Sequence, residues 1–245
     1  MKNVVSSALV ILFAVFPAFA QNIEEIKEHE AKVEEVIFDS KEMGQKRQVL
    51  IQTPMNYNVR DFTYYNVIYV FDAQMRPFFD YTSGIVNLMG AGDREFIVVG
   101  IKATWIKEKM YGRNHDLVPS DTRMRLGPKS GGNAEAFLSF VKNEVMPYVE
   151  SNYRTMPHNV AVGHSLSASF LLYTMIHEPD LFNNYIAVSP NLAYDDQRLV
   201  RDLRNFDPEQ FSSPTYLYMS HADEHKAWPD WEKANKNAYA LLRDT

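Results

Sequence analysis

The sequence predicts an α/β fold in which helices cover both faces of a mainly parallel central sheet. Three observations support this prediction. Short apolar runs typical of buried strands, such as Tyr65–Phe71 and Phe96–Ile101, alternate with segments of helical periodicity. Hydrophobic residues make up 46% of the 245 residues, which is enough for one sizeable core. Small residues surround a serine within residues 158–172, where a strand, a sharp turn and a helix follow one another.

The predicted elements follow a regular order along the chain. Val33–Phe38 and Arg47–Thr53 alternate apolar and polar residues around Glu42–Gln45, which predicts an antiparallel hairpin. The later predicted elements are a strand at Tyr65–Phe71, a helix over about Phe78–Met89, a strand at Phe96–Ile101, a long loop, a helix at Ala134–Asn152, a strand at Val160–Val162, a strand at Tyr185–Val188, a helix near Gln197–Asn205, a strand at Tyr216–Ser220 and a helix from about Trp231. Strands that alternate with helices in this way favour parallel pairing.

Polar residues lie at the carboxyl ends of four of the predicted strands, namely Asp72, Ser165, Ser189 and His221. The carboxyl ends of parallel strands lie at one edge of a sheet, and open α/β sheets bind their ligands at that edge. We therefore expect the functional site there.

Ser165 lies in the segment Gly163-His164-Ser165-Leu166-Ser167, which is close to the G-x-S-x-G pattern of a nucleophile elbow. On such a strand-to-helix turn a serine hydroxyl projects above the sheet, and the next backbone N–H faces the oxyanion of an acyl-transfer intermediate. Ser167 replaces the last glycine of the pattern. The alternative is a serine that only caps the helix. The preceding apolar strand and the following apolar helix favour the catalytic interpretation.

The first twenty residues have the pattern of a secretory signal peptide. Lys2 is followed by an apolar run from Val4 to Phe16 and by the cleavage pattern Ala18-Phe19-Ala20. We expect a mature protein that starts at Gln21, is located in the periplasm or secreted by a bacterium, and forms one domain over residues 21–245. A signal anchor is the alternative, but the apolar run is short for a bilayer. No later segment is apolar enough to insert into a membrane.

Composition excludes several other classes of protein. Cysteine is absent, so neither disulfides nor thiolate metal ligands are available. The seven histidines show no spacing typical of a metal site, and the predicted chemistry needs no metal or other cofactor. The net charge of −6, from scattered acidic residues, argues against nucleic acid as a partner.

Several motifs between residues 33 and 245 resemble those of a known family. They are Tyr69–Asp72, Arg113–Pro119 with the pattern R-x-x-D-x-x-P, Gly131–Phe137 leading to Pro147-Tyr148 and Asn152–Arg154, Gly163–Ser165, and Tyr185–Pro190. Together they are similar to the esterase family of the α/β-hydrolase fold, which includes siderophore esterases and S-formylglutathione-hydrolase-like enzymes. Ala73 and Ser167-Ala168 stand where that family usually has glycines, and both replacements are small. The resemblance implies the α/β-hydrolase fold and a small-molecule ester as substrate.

The resemblance also implies roles for single residues. Ser165 is expected to be the nucleophile that forms an acyl-enzyme. The N–H of Leu166 is expected to be one oxyanion donor, and the N–H of Ala73 or of its neighbour Gln74 the other. The two candidates for the acid of the triad are Asp223, which is favoured, and Glu224. Residues expected to hold a loop or to contact the substrate are Arg113, His115, Asp116 and His164.

The base is the open part of this assignment. In the α/β-hydrolase fold the histidine follows the acid and a further strand, but no histidine follows His225 here. Three explanations stay open: a chain that lacks its C-terminal strand and helix, an inactive natural truncation, or local replacement by His221 or His225. A serine carboxylic-ester hydrolase is the leading function. The alternative is a non-catalytic exported binding protein on a hydrolase scaffold.

Overall fold

The computed structural model describes residues 31–55, 57–58, 62–90, 94–104, 112–119, 122–123, 129–130, 132–223, 226 and 228–243. The predicted signal peptide lies outside these residues. The strands are β1 (Val33–Ser40), β2 (Gln45–Gln52), β3 (Tyr65–Phe71), β4 (Phe96–Ile101), β5 (Thr122–Arg123), β6 (Lys129–Ser130), β7 (Thr155–His164), β8 (Asn184–Val188) and β9 (Tyr216–Ser220). The helices are α1 (Arg76–Gly90), α2 (Gly112–Leu117), α3 (Ala134–Phe140), α4 (Met146–Asn152), α5 (Leu166–His177), α6 (Tyr194–Leu203) and α7 (Pro229–Arg243), with a π-helical turn at Val141–Val145 and a 3₁₀ turn at Pro208–Gln210.

Seven strands form the main sheet in the order β1-β2-β4-β3-β7-β8-β9. β1 pairs antiparallel with β2, and β2 pairs antiparallel with β4. All the other pairs of this sheet are parallel. The short strands β5 and β6 form a separate antiparallel pair. The predicted hairpin and the predicted mainly parallel sheet are both confirmed.

Helices cover both faces of this sheet. In β3, Tyr69 and Phe71 face a large apolar cluster with residues of α3 to α7, whereas Ile68 and Val70 face a smaller cluster that includes Phe79 of α1. Strands that are buried on both faces read as unbroken apolar runs. This explains why the bounds of β3 and β4 agree with those predicted from the sequence; the bounds of β9, a partly exposed strand at the edge of the sheet, agree as well.

Among the elements that were not predicted, α2 and the π-helical turn bear on the site and on the packing of the sheet. α2 lies in a segment predicted to be a loop, and its six residues are too few to show helical periodicity. Tertiary ion pairs hold it instead: Asp116 binds Arg47, and Arg113 binds Asp72. The π-helical turn interrupts the helix predicted over residues 134–152. No helix within the described residues combines the length and apolar character needed to cross a bilayer.

Candidate active site

The four polar residues after the parallel strands lie at one edge of the sheet, as predicted. The backbone ladder continues past the strand ends, because the Ser165 N–H donates to the Val188 carbonyl at 3.0 Å and the Ser189 N–H donates to the Ser220 carbonyl at 3.1 Å. The ends of β7, β8 and β9 are therefore level with one another, and their last residues share one surface.

The backbone is strained at three of these strand ends. Asp72, Ser165 and Ser189 have φ values of 66°, 60° and 46°, in a region that side chains other than glycine seldom adopt. Such conformations cost of order 1–3 kcal/mol each and are concentrated at functional sites. At Ser165 the ψ value of −118° turns the chain sharply from β7 into α5.

Ser165 has the geometry of a nucleophile elbow rather than that of a capping serine. It occupies the N-cap position of α5, yet its side chain makes no cap hydrogen bond. The close approach of strand and helix depends on Gly163, because a Cβ there would lie 2.7 Å from the carbonyl carbon of Ser167. Ser167 itself bonds back to the strand, since its Oγ accepts from the His164 N–H at 3.0 Å and donates to the His164 carbonyl at 2.9 Å. Serine therefore fits where the usual pattern has glycine.

Leu166 is the first residue of α5. The first amides of a helix have no acceptor within the helix and lie at the positive end of its dipole. The Leu166 N–H therefore matches the expected position of an oxyanion donor next to the nucleophile.

The loop after β3 contains two candidate oxyanion donors, and one of them is already hydrogen-bonded. The Ala73 N–H continues the ladder between β3 and β4 by donating to the Ile101 carbonyl at 3.1 Å, so this amide is occupied. The Gln74 N–H has no hydrogen-bond acceptor among the described residues. Of the two alternatives, Gln74 is the one that the structure leaves able to bind an oxyanion.

The Gln74 side chain fixes this loop to its surroundings. Its Nε2 donates to Asp72 Oδ1 at 2.6 Å, and its Oε1 accepts from the Ala103 N–H at 2.8 Å. Asp72 is fully buried, and Arg113 donates to both of its carboxylate oxygens. Arg113 was a candidate for substrate contact, but in the structure its guanidinium binds Asp72.

A second buried ion pair lies next to the first. Arg47 donates to Asp116 Oδ2 at 2.7 Å, and Thr104 donates to the same oxygen through its N–H at 2.6 Å and its hydroxyl at 2.8 Å. His115 Nδ1 lies 3.2 Å from Asp116 Oδ1, and the His115 side chain is 53% exposed. Asp116 therefore holds its segment by hydrogen bonds, as predicted, and His115 reaches solvent.

His164 connects the elbow to α1. Its ring is half-buried, with its centroid 6.1 Å from that of Phe78 in α1. A groove of about 620 Å³ lies beside the loop that follows β3. Gln74, Arg76 and residues of β1 and β2 line this groove. Neither the contact of Phe78 with His164 nor the role of the Gln74 side chain follows from the sequence, because only three-dimensional proximity connects these residues to the site.

The structure describes one of the two candidate acids. Asp223 is exposed and follows β9, whereas Glu224 and His225 lie outside the described residues. His221 is also exposed, and its Nδ1 lies 3.3 Å from Nδ2 of Asn235, which donates to the Pro190 carbonyl at 3.0 Å. No imidazole of the described residues hydrogen-bonds to the Ser165 hydroxyl.

The described residues contain no cluster of three or more histidine or carboxylate side chains suited to a metal ion.

A family profile and several known proteins match this chain. The family profile described as "Putative esterase" matches residues 40–239. The ferri-bacillibactin esterase BesA of Bacillus subtilis is 26% identical over 156 residues, which are 58% of this chain and 53% of that protein. The siderophore triacetylfusarinine C esterase of Aspergillus fumigatus is 27% identical over 106 residues, 41% of this chain and 35% of that protein. These matches span about half or less of each curated relative.

Solved structures share the fold. An IroE-like serine hydrolase from Shewanella oneidensis has a TM-score of 0.70 and 23% identity, over 86% of this chain and 70% of that one. The siderophore hydrolase EstA from Aspergillus nidulans has a TM-score of 0.68 and 20% identity, over 86% of this chain and 82% of that one. The fold is therefore that of the α/β-hydrolases, as the sequence motifs predicted.

Proposed function

This chain belongs to the esterase family whose profile matches residues 40–239, and on that premise we propose that it hydrolyses carboxylic esters through an acyl-enzyme formed on Ser165. The conformation of Ser165 is the observation on which the proposal rests. Its φ of 60° on a strand-to-helix turn, with a side chain that makes no cap hydrogen bond, supports the role of a nucleophile over that of a structural serine.

The proposed reaction follows from this geometry. Ser165 Oγ attacks the ester carbonyl and gives its proton to a base, and the carbonyl oxygen becomes an oxyanion that the Leu166 and Gln74 N–H groups stabilise. Collapse of the tetrahedral intermediate expels the alcohol and leaves an acyl group on Oγ. Water then releases the acid through a second tetrahedral intermediate and restores the serine.

The base is the component that the described residues do not place beside Ser165. The amide nitrogen of Asn235, which can only donate, lies 3.3 Å from His221 Nδ1, so this contact favours the tautomer with its proton on Nε2. That tautomer lacks a free Nε2 lone pair, so it does not suit His221 as the base. Of the two local candidates this leaves His225, which lies outside the described residues.

The names of the relatives suggest which substrates to assay first. One curated relative compared above is named a ferri-bacillibactin esterase and the other a siderophore esterase, so we propose the ester linkages of a siderophore as the natural class of substrate. Feruloyl esters, acetyl sugar esters and thioesters are the other classes to include. A p-nitrophenyl ester serves as a general probe because its leaving group is reactive.

The test compares the wild-type protein, expressed from its complete coding sequence, with the Ser165→Ala variant. We expect the variant to keep the wild-type melting temperature, because a half-buried hydroxyl contributes little to packing. Its kcat for p-nitrophenyl acetate should fall by several orders of magnitude, and labelling by a fluorophosphonate probe should disappear.

A binding protein without catalytic activity is the second candidate function, because no described imidazole contacts Ser165. If the wild-type protein neither turns over esters nor reacts with the fluorophosphonate, yet binds a siderophore, this second function is correct. Residues 21–245 should be assayed in parallel. Full activity of that fragment would make His225 and then His221 the first bases to replace.

We also propose that the protein is exported, on the basis of its N-terminal sequence. The Ala18-Phe19-Ala20 pattern places the cleavage site before Gln21. Expression in a bacterium followed by N-terminal sequencing of the periplasmic and medium fractions should return a chain that starts at Gln21. An intact Met1 in the membrane fraction would show a signal anchor instead.

A further inference from the structure

The loop that presents the Gln74 N–H contains an unusual residue. Asp72 combines a positive φ of 66° with a carboxylate that is 0% exposed. Neither property is favourable alone, because the backbone conformation is strained and a buried carboxylate loses its hydration. A residue of this kind persists only where its surroundings hold it, so its partners determine the shape of the loop.

Arg113 is the principal partner of Asp72. Its Nε donates to Oδ1 at 3.0 Å, and its Nη2 donates to Oδ2, so the two groups form the planar two-bond pair that only a guanidinium provides. The Arg113 side chain is itself only 18% exposed. Asp72 thus occupies the Nε–Nη2 edge of the guanidinium, and this buried pairing gives Arg113 a structural role.

α2 brings Arg113 to this position, and α2 is itself held at a second point. Three residues after Arg113, Asp116 binds Arg47 of β2 and both donors of Thr104. α2 is therefore tied through Asp116 to β2 and to Thr104, as well as through Arg113 to Asp72. This arrangement makes Arg113 a rigid support and not a mobile surface side chain.

Gln74 transmits the position of Asp72 to the backbone. Its side chain bonds both to Asp72 Oδ1 and to the Ala103 N–H, while its own N–H has no acceptor among the described residues. The amide that is available for an oxyanion therefore belongs to a residue that the buried ion pair holds in place.

We propose that Arg113 and Asp72 form a positioning pair, which acts through Gln74 to hold the Gln74 N–H at the oxyanion; this role rests on the proposed function. Removal of one oxyanion donor lowers kcat by about 10²–10³-fold, because the donor acts on charge that develops only in the transition state. Displacement of the loop should have a similar effect. Neither residue touches the substrate.

The test uses the protein from its complete coding sequence and the variants Arg113→Met, Arg113→Lys and Gln74→Met. For Arg113→Met we expect kcat for p-nitrophenyl acetate to fall by about 10²-fold per active site titrated with fluorophosphonate. KM should change less than threefold. Affinity for phenylboronic acid, which forms an anionic tetrahedral adduct on the serine, should fall together with kcat. Lysine lacks the two-bond geometry, so Arg113→Lys should recover only part of the loss.

Arg154→Met is the matched control. Arg154 binds the Tyr57 and Thr63 carbonyls at the opposite, N-terminal end of β3, so its loss should lower the melting temperature and leave kcat per titrated site unchanged. Gln74→Met serves if Arg113→Met does not fold, because it leaves no buried charge unpaired. It should lower kcat about tenfold, as expected for a hydrogen bond worth about 1.4 kcal/mol.

Two results would overturn the positioning role while leaving the esterase assignment intact. One is a kcat that falls no further in Arg113→Met and Gln74→Met than in Arg154→Met. The other is a raised KM with unchanged kcat in Arg113→Met, which would show a substrate contact. A different result would show that the proposed function itself is wrong. In that case the Ser165→Ala variant would hydrolyse esters as fast as the wild-type protein.

Discussion

At the scale of single residues, the site depends on backbone conformations more than on side-chain chemistry. Ser165 and Asp72 each follow a parallel strand with a positive φ, and the two amides proposed as oxyanion donors, those of Leu166 and Gln74, come one and two residues later. A serine hydroxyl is an ordinary group, and its placement on a strained turn makes it available for attack. The same turn requires that the residue two positions earlier, Gly163, has no side chain.

The substitution Gly163→Ala tests this requirement. Its Cβ would lie 2.7–2.8 Å from the Ser167 carbonyl group and the Ala168 N, all backbone atoms, so the start of α5 must shift. We expect a loss of about 1–3 kcal/mol in the free energy of unfolding, measured in urea, because overpacking forces the backbone apart. Ester hydrolysis should fall at least tenfold, because a shift of about 1 Å displaces the nucleophile.

Gly84→Ala is the matched control for that substitution. Gly84 lies within α1, and a Cβ there meets no atom within 4 Å. Alanine should stabilise the protein by about 0.4–1 kcal/mol and leave activity unchanged, since it restricts the unfolded chain and suits a helix. Equal effects at the two glycines would show that the packing at Gly163 does not control the elbow.

At the scale of elements, the sequence predicted those parts of the fold that have a periodic or apolar signal. β3 and β4 are buried apolar runs, β9 is a partly exposed apolar run at the edge of the sheet, and the predicted bounds of all three agree with the structure. α2 could not be predicted, because two long-range ion pairs hold its six residues in place. The same limit applies to the site: the elbow motif is local and was found, but Asp72 and Arg113 are 41 residues apart and only the fold pairs them.

The π-helical turn provides a prediction at this scale. It places Glu144 so that its Oε1 accepts the N–H groups of Lys41 and Glu42, at 2.8 Å and 3.0 Å, in the turn between β1 and β2. Glu144→Ala should lower the free energy of unfolding by about 1–2 kcal/mol, because two charge-assisted hydrogen bonds are lost at a partly exposed position. Urea unfolding measures this change.

Two further variants check that interpretation of the turn. Glu144→Gln keeps an acceptor oxygen and should lose less than half as much stability as Glu144→Ala. Glu150→Ala, at an exposed position of α4, should change stability by less than about 0.5 kcal/mol. If Glu144→Ala were no worse than Glu150→Ala, the π-helical turn would contribute nothing to holding the hairpin.

At the scale of the whole molecule, the large apolar cluster contains several tyrosines. Tyr69 of β3 and Tyr194 of α6 are almost fully buried, and burial raises the pKa of each hydroxyl well above its ordinary value of 10.0. Burial likewise raises the pKa of Tyr185 in β8. The folded protein therefore keeps these hydroxyls neutral at a pH where the unfolded chain ionises them, which couples the stability of the core to alkaline pH.

The sign of this coupling is fixed by proton binding. Above about pH 10 the unfolded state loses the tyrosine protons that the folded state retains, so the free energy of unfolding decreases as pH rises. Below that pH the full stability is present. Each buried tyrosine should contribute a decrease of about 1.4 kcal/mol per pH unit between its unfolded and folded pKa values. Urea unfolding at pH 8, 10 and 11, with tyrosinate absorbance at 295 nm, measures it. In Tyr194→Phe the dependence on pH should be shallower by the contribution of one proton, and an unchanged slope would show that Tyr194 ionises equally in both states.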